Sequence, residues 1–172
     1  MAWFDSFLYL FSISILAFPL GRLIPREWIH YDRFPFRAFE WENDGRIYHR
    51  LEIRSWQNKL PDMSRFGLCN MKVKKLNDNF TAEDVRLLLD ETCIAEIVHT
   101  LLCFAGLHCI NLWEGTGGIV FYILYITICQ LPYIFIQRYN RPRLSRVFKR
   151  MTKERSTVYE SADIKLQYGR RS

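Results

Sequence analysis

Residues 93–113, CIAEIVHTLLCFAGLHCINLW, and residues 117–137, GGIVFYILYITICQLPYIFIQ, stand back to back with only Glu114, Gly115 and Thr116 between them. At about 1.5 Å per helical residue, each is long enough to cross a hydrocarbon core of roughly 30 Å. So short a link forces a tight antiparallel hairpin. A third apolar run, residues 4–24, precedes them, broken by Asp5, Ser12 and Ser14 and closed by Pro19, Gly21, Arg22 and Pro25. It lacks the positive leading region and small-residue cleavage site of a signal peptide, so it reads as a retained span. The expectation is an all-α membrane protein: one integral domain over residues 1–150, with three transmembrane helices at about 4–24, 93–113 and 117–137.

Charge sets the expected orientation. Lys and Arg outnumber Asp and Glu by 24 to 18, and the excess is uneven: residues 21–92 hold thirteen basic and twelve acidic residues, residues 138–172 eleven and three. Arg22 and Arg26 follow the first span and Arg138 to Arg155 follow the third, so the positive-inside bias puts the N-terminus outside and loop 25–92 and tail 151–172 in the cytoplasm. Such a tail favours an anionic leaflet at about 1 kcal/mol per basic residue. No recognition motif accompanies it, so nucleic acid is not the expected partner. Four of the five cysteines, Cys93, Cys103, Cys109 and Cys129, fall inside apolar runs, and only Cys69 does not. No paired spacing occurs, so neither a disulfide framework nor a metal site is expected.

In the loop, residues 22–39 are rich in aromatic side chains, as at a headgroup layer. From Gly45, with Asn43 and Asp44 as caps, Ile47, Tyr48 and Leu51 mark an apolar side while Arg46, Arg50 and Arg54 recur every fourth residue. That spacing predicts an amphipathic interfacial helix ending at Pro61, with a solvated surface helix as the alternative. A polar loop follows to Asn79. Thr81 then caps a helix that continues into the second span.

Three constellations bear on chemistry. Thr92, Ala95, Glu96 and His99 share one helix face, and a carboxylate one turn from an imidazole can orient it as a general base. The alternative is that Glu96 and His99 only tie helices together. The run Arg138-Tyr139-Asn140-Arg141-Pro142-Arg143 offers three guanidinium groups able to grip phosphate bidentately, with positive-inside anchoring as the plainer reading. The stretch Arg54, Trp56, Lys59 and Asp62 mixes cation, ring and carboxylate at the membrane surface and is weak alone. His108, without an acidic partner, reads as structural. A Glu-x-x-His spacing occurs in di-iron bundles, but the third span offers no second motif.

Taken together, the chain resembles the glycosyl-4,4'-diaponeurosporenoate acyltransferase family of staphyloxanthin-type carotenoid biosynthesis. The resemblance rests on Arg22-Leu-Ile-Pro25; on Phe39, Glu42, Gly45 and Tyr48; on Arg54, Trp56, Lys59, Leu60 and Asp62; on Glu91, Thr92, Ala95, Glu96 and His99; and on Gln137 to Leu144, the most specific string. It runs in order from about residue 20 to 145. It implies a bacterial cell-membrane enzyme that moves a fatty acyl group to a sugar hydroxyl of a glycosylated, carotenoid-like lipid. No bound cofactor is implied; an acyl-CoA or acyl-carrier-protein thioester is the expected co-substrate. Carried onto these positions, His99 is the base and Glu96 its orienting partner, while Arg138, Asn140, Arg141 and Arg143, with Arg54, Trp56 and Lys59, are substrate-binding candidates. A small lipid-modifying transferase such as a methyltransferase, and a non-enzymatic membrane scaffold, remain open.

Overall fold

A computed structural model describes residues 2–60 and 81–169, with side chains through residue 157. Pro61, Asp62, the polar loop and Cys69 lie outside the described residues. Among the described residues the chain is helical or turn, with no strand. Three helical stretches are long and apolar enough to cross a membrane, as expected: Ala2–Arg22, Ala82–Leu112 and Thr116–Thr157.

Helix α1 (Ala2–Arg22) carries Phe7, Phe11 and Ile15 uncovered on one side and packs the other against α3 (Ala82–Gly106). Gly21 permits the close approach: a Cβ there would lie 2.8 Å from Cγ2 of Val98. Helix α3 starts at a reciprocal cap. Thr81 Oγ1 accepts from the Asp84 amide at 3.2 Å, and Asp84 Oδ2 accepts from the Thr81 amide at 2.9 Å. Two donors that the first turn leaves unpaired are thereby satisfied. The second run is not one rod to Trp113. It stops at Gly106, where the Tyr125 ring fills the space a side chain would need, and resumes as the single turn α4 (Cys109–Leu112).

The return arm is α5 (Thr116–Leu124), a π-helical turn at Tyr125–Gln130, and α6 (Leu131–Gly169), which continues without interruption into the basic tail. The expected amphipathic helix is not continuous. It is a chain of single turns: Arg46–His49, α2 (Ile53–Trp56) and Gln57–Lys59. Asn43, Asp44, Gly45 and Glu52 all have positive φ, so the backbone reverses hand where a regular helix would have to run. Asn43 closes the preceding turn Glu40–Glu42, and Gly45, not Asn43 or Asp44, stands at the N-cap of Arg46–His49. These turns fold back so that Tyr48, Ile53 and Tyr139 form a small core with Phe135 and Ile136. The segment thus packs onto α6 instead of lying apart from it.

Candidate functional site

Among the described elements, α3 and α6 pack together most extensively. On α3, Thr92, Glu96 and His99 rise turn by turn on the face turned to α6, as their spacing requires. The antiparallel return arm meets them in reverse order, with Arg141 opposite Thr92, Arg138 opposite Glu96, Tyr133 of α6 opposite His99, and Gln130 of the π-helical turn also at His99.

The lower part is a buried ion network. Arg138 Nε donates to Glu96 Oε1 at 2.8 Å, its Nη1 to Glu42 Oε1 at 2.8 Å and its Nη2 to the Pro35 carbonyl at 2.9 Å. Arg141 donates through Nη2 to Glu96 Oε2 and to the Thr92 carbonyl, through Nε to Thr92 Oγ1, and through Nη1 to the Phe36 carbonyl. Glu42, 1% exposed, also accepts from the Tyr48 hydroxyl and, through Oε2, from the Phe39 amide at 2.7 Å. Phe39 and Phe36 lie under the Arg138 and Arg141 guanidinium groups at 4.7 and 5.4 Å. Two carboxylates face two guanidinium groups, so the cluster is neutral and its charges are saturated. Only such pairing makes burial of four ions tolerable. Burial and the bond to Glu42 push the Tyr48 phenol well above its usual range, which keeps it a donor.

The expected Glu96–His99 couple does not form. Both Glu96 oxygens go to arginines, and His99 Nδ1 lies 2.8 Å from Oε1 of Gln130. An amide oxygen only accepts, so Nδ1 carries the proton and the Nε2 lone pair is the basic one. The ring stacks on Tyr133, with centroids 4.7 Å apart and planes 10° from parallel. It therefore faces α6. Gln130 is 2% exposed and closes the π-helical turn, whose extra residue changes the phase of the arm just before α6. Gln130 escaped the sequence reading, although a lone amide in an apolar span is itself a signal.

Of the other expected residues, Asn140 Nδ2 donates to Gln57 Oε1 at 3.4 Å, and Arg143 lies over the Tyr139 ring at 3.7 Å with Nη2 3.1 Å from His49 Nε2. Trp56 donates its indole N–H to the Leu51 carbonyl at 2.7 Å. Arg54 and Lys59 are exposed. None of these five reaches the ion network. Arg138 and Arg141, expected to hold phosphate, are turned inward and nearly saturated. Beside them opens a cavity of about 360 Å³ with Glu42, Arg138 and Arg141 in its wall.

Three helices of membrane-spanning length joined by a buried polar seam define an all-α fold with His99 turned toward the return arm. Comparison with known proteins gives the family. Residues 25–150 match the family described as glycosyl-4,4'-diaponeurosporenoate acyltransferase, and the chain belongs to it. The protein of that name from Staphylococcus haemolyticus (strain JCSC1435) is 30% identical over 136 residues, covering 75% of this chain and 74% of its own. That from Staphylococcus aureus (strain MRSA252) is 26% identical over 151 residues, covering 86% and 88%. No solved structure is significantly similar. Its relatives are named acyltransferases, and this chain is an enzyme of that class.

Proposed function

We propose that the chain is a membrane-embedded O-acyltransferase that moves a fatty acyl group from an acyl thioester to a sugar hydroxyl of a glycosylated carotenoid-like lipid. Family membership supports the reaction class. The apolar side chains uncovered along the three long helices, among them Phe7, Phe11, Phe104, Ile123 and Ile128, support a lipid environment, since so much apolar surface is not left to water. In this reading the loop and the basic tail lie on the cytoplasmic side, the tail against an anionic leaflet.

The observation that carries the mechanism is the Gln130–His99 bond. It orients the imidazole so that Nε2 takes the proton from the acceptor hydroxyl. The oxygen then attacks the thioester carbonyl, a C–O bond forms, the C–S bond breaks, and the thiolate leaves with the proton returned by His99. Glu96 acts on the helix pair rather than on the ring. With Arg138 and Arg141 it locks α3 to α6 one turn from His99 and so positions the base.

Lipid mass spectrometry of cells with and without the chain tests the reading. A glycosylated lipid heavier by one fatty acyl group is expected in cells that contain it; a methyl increment, or no difference, overturns the assignment.

A further inference from the structure

The cavity beside the ion network is built by one face of α6, on which Arg138, Pro142, Ser145 and Lys149 recur at helical spacing, and by the loop around Tyr31 to Asp44. Its inner wall is neutral, because Arg138 and Arg141 are matched by Glu42 and Glu96. Its outer wall is different. Arg37, Arg146 and Lys149 line it, all three exposed and bonded through their side chains to no described residue, against only two carboxylates, Asp32 and Asp44. The cations in the wall that remain available for a ligand are therefore not the arginines that the Arg138 to Arg143 string brings to notice. They are three others, and their charge exceeds that of the facing carboxylates by one.

We propose that this cavity receives the phosphate of the phosphopantetheine arm common to coenzyme A and acyl-carrier-protein thioesters, held by Arg37, Arg146 and Lys149. This rests on the acyl-thioester reading above. Guanidinium and ammonium groups converging on a concave wall are suited to a phosphate ester. The volume lies within the range of small-molecule sites. The wall also includes Arg138, whose partner Glu96 is one helical turn from His99, so the cavity and the imidazole lie along the same α3–α6 seam.

The test compares two donors that differ only by that phosphate, an acyl-phosphopantetheine and the matching acyl-pantetheine, with the full chain in phosphatidylcholine nanodiscs. The double variant Arg146→Gln/Lys149→Gln is expected to lower the ratio of kcat/KM between the two donors by roughly tenfold or more, mainly through KM, the order expected for charge-assisted bonds to phosphate. Arg37→Gln moves the ratio the same way by less. Arg50→Gln, an exposed arginine outside the cavity, leaves it unchanged. An unchanged ratio in the double variant, or an equal fall for both donors, overturns the assignment while leaving acyl transfer intact. Failure of the wild-type chain to use any thioester overturns the reading beneath it as well. Parallel assays with acyl-CoA and acyl carrier protein identify the source, as whichever loses rate in the double variant.

Discussion

Oε1 of Gln130 lies 2.8 Å from Nδ1 of His99, across the seam between the two arms of the hairpin. The bond decides which imidazole nitrogen is available, and it comes from a residue in a π-helical turn of the return arm, not from the carboxylate one turn away on the same helix. His99→Ala is expected to lower acyl transfer by at least about 10²-fold, the usual worth of a general base, with unchanged accumulation of the protein. Full activity in this variant would remove the proposed mechanism.

Gln130 acts through His99, so its variants should separate by chemistry rather than by size. Gln130→Leu leaves Nδ1 without its acceptor and is expected to reduce kcat by roughly tenfold to a hundredfold, the cost typical of losing a group that orients a histidine. Gln130→Glu keeps an acceptor and is expected to retain more activity than the leucine variant. Equal losses in the two would mean that Gln130 only fills space.

Glu96→Gln is expected to act on stability first. The substitution leaves Arg138 and Arg141 short of a counter-charge in a buried seam, a change that costs about 3–5 kcal/mol in comparable networks. A lowered thermal midpoint in detergent, partly restored in Glu96→Gln/Arg138→Gln, is the expected pattern. Unchanged stability with a selective loss of kcat would return Glu96 to a direct role at the imidazole.

The Tyr48 phenol is raised by burial and by its bond to Glu42, so the folded state holds this proton more tightly than the unfolded chain does. Its contribution is therefore complete below the unfolded phenol's value, about 10, and is lost as pH climbs beyond it. The thermal midpoint of wild type should exceed that of Tyr48→Phe at pH 8, and the gap should narrow above pH 10. A gap that widens with pH would contradict the sign.

Gly45 has φ +81° and lies against Pro142, where a Cβ would meet Cγ at 3.4 Å. Gly45→Ala is expected to cost about 1–2 kcal/mol, measured by denaturation in detergent, because a side chain disfavours the left-handed region. A neutral result would mean that the turn does not hold the loop against α6.

The lengths and hydropathy of three runs, the three-residue link, the Thr81 cap and the shared face of Thr92, Glu96 and His99 were all legible in the sequence, because each depends on neighbours within a few residues. The broken interfacial helix was not legible. Of its four residues at positive φ, Gly45 lies against Pro142 of α6, and the period-four arginines gave no sign of any of them. The partners of Glu96, His99, Arg138 and Arg141 were also beyond reach. A buried ion or imidazole takes whichever group the opposing helix brings to its level. That depends on the antiparallel offset of α3 and α6 and on one extra residue in a π-helical turn, which only the assembled hairpin fixes.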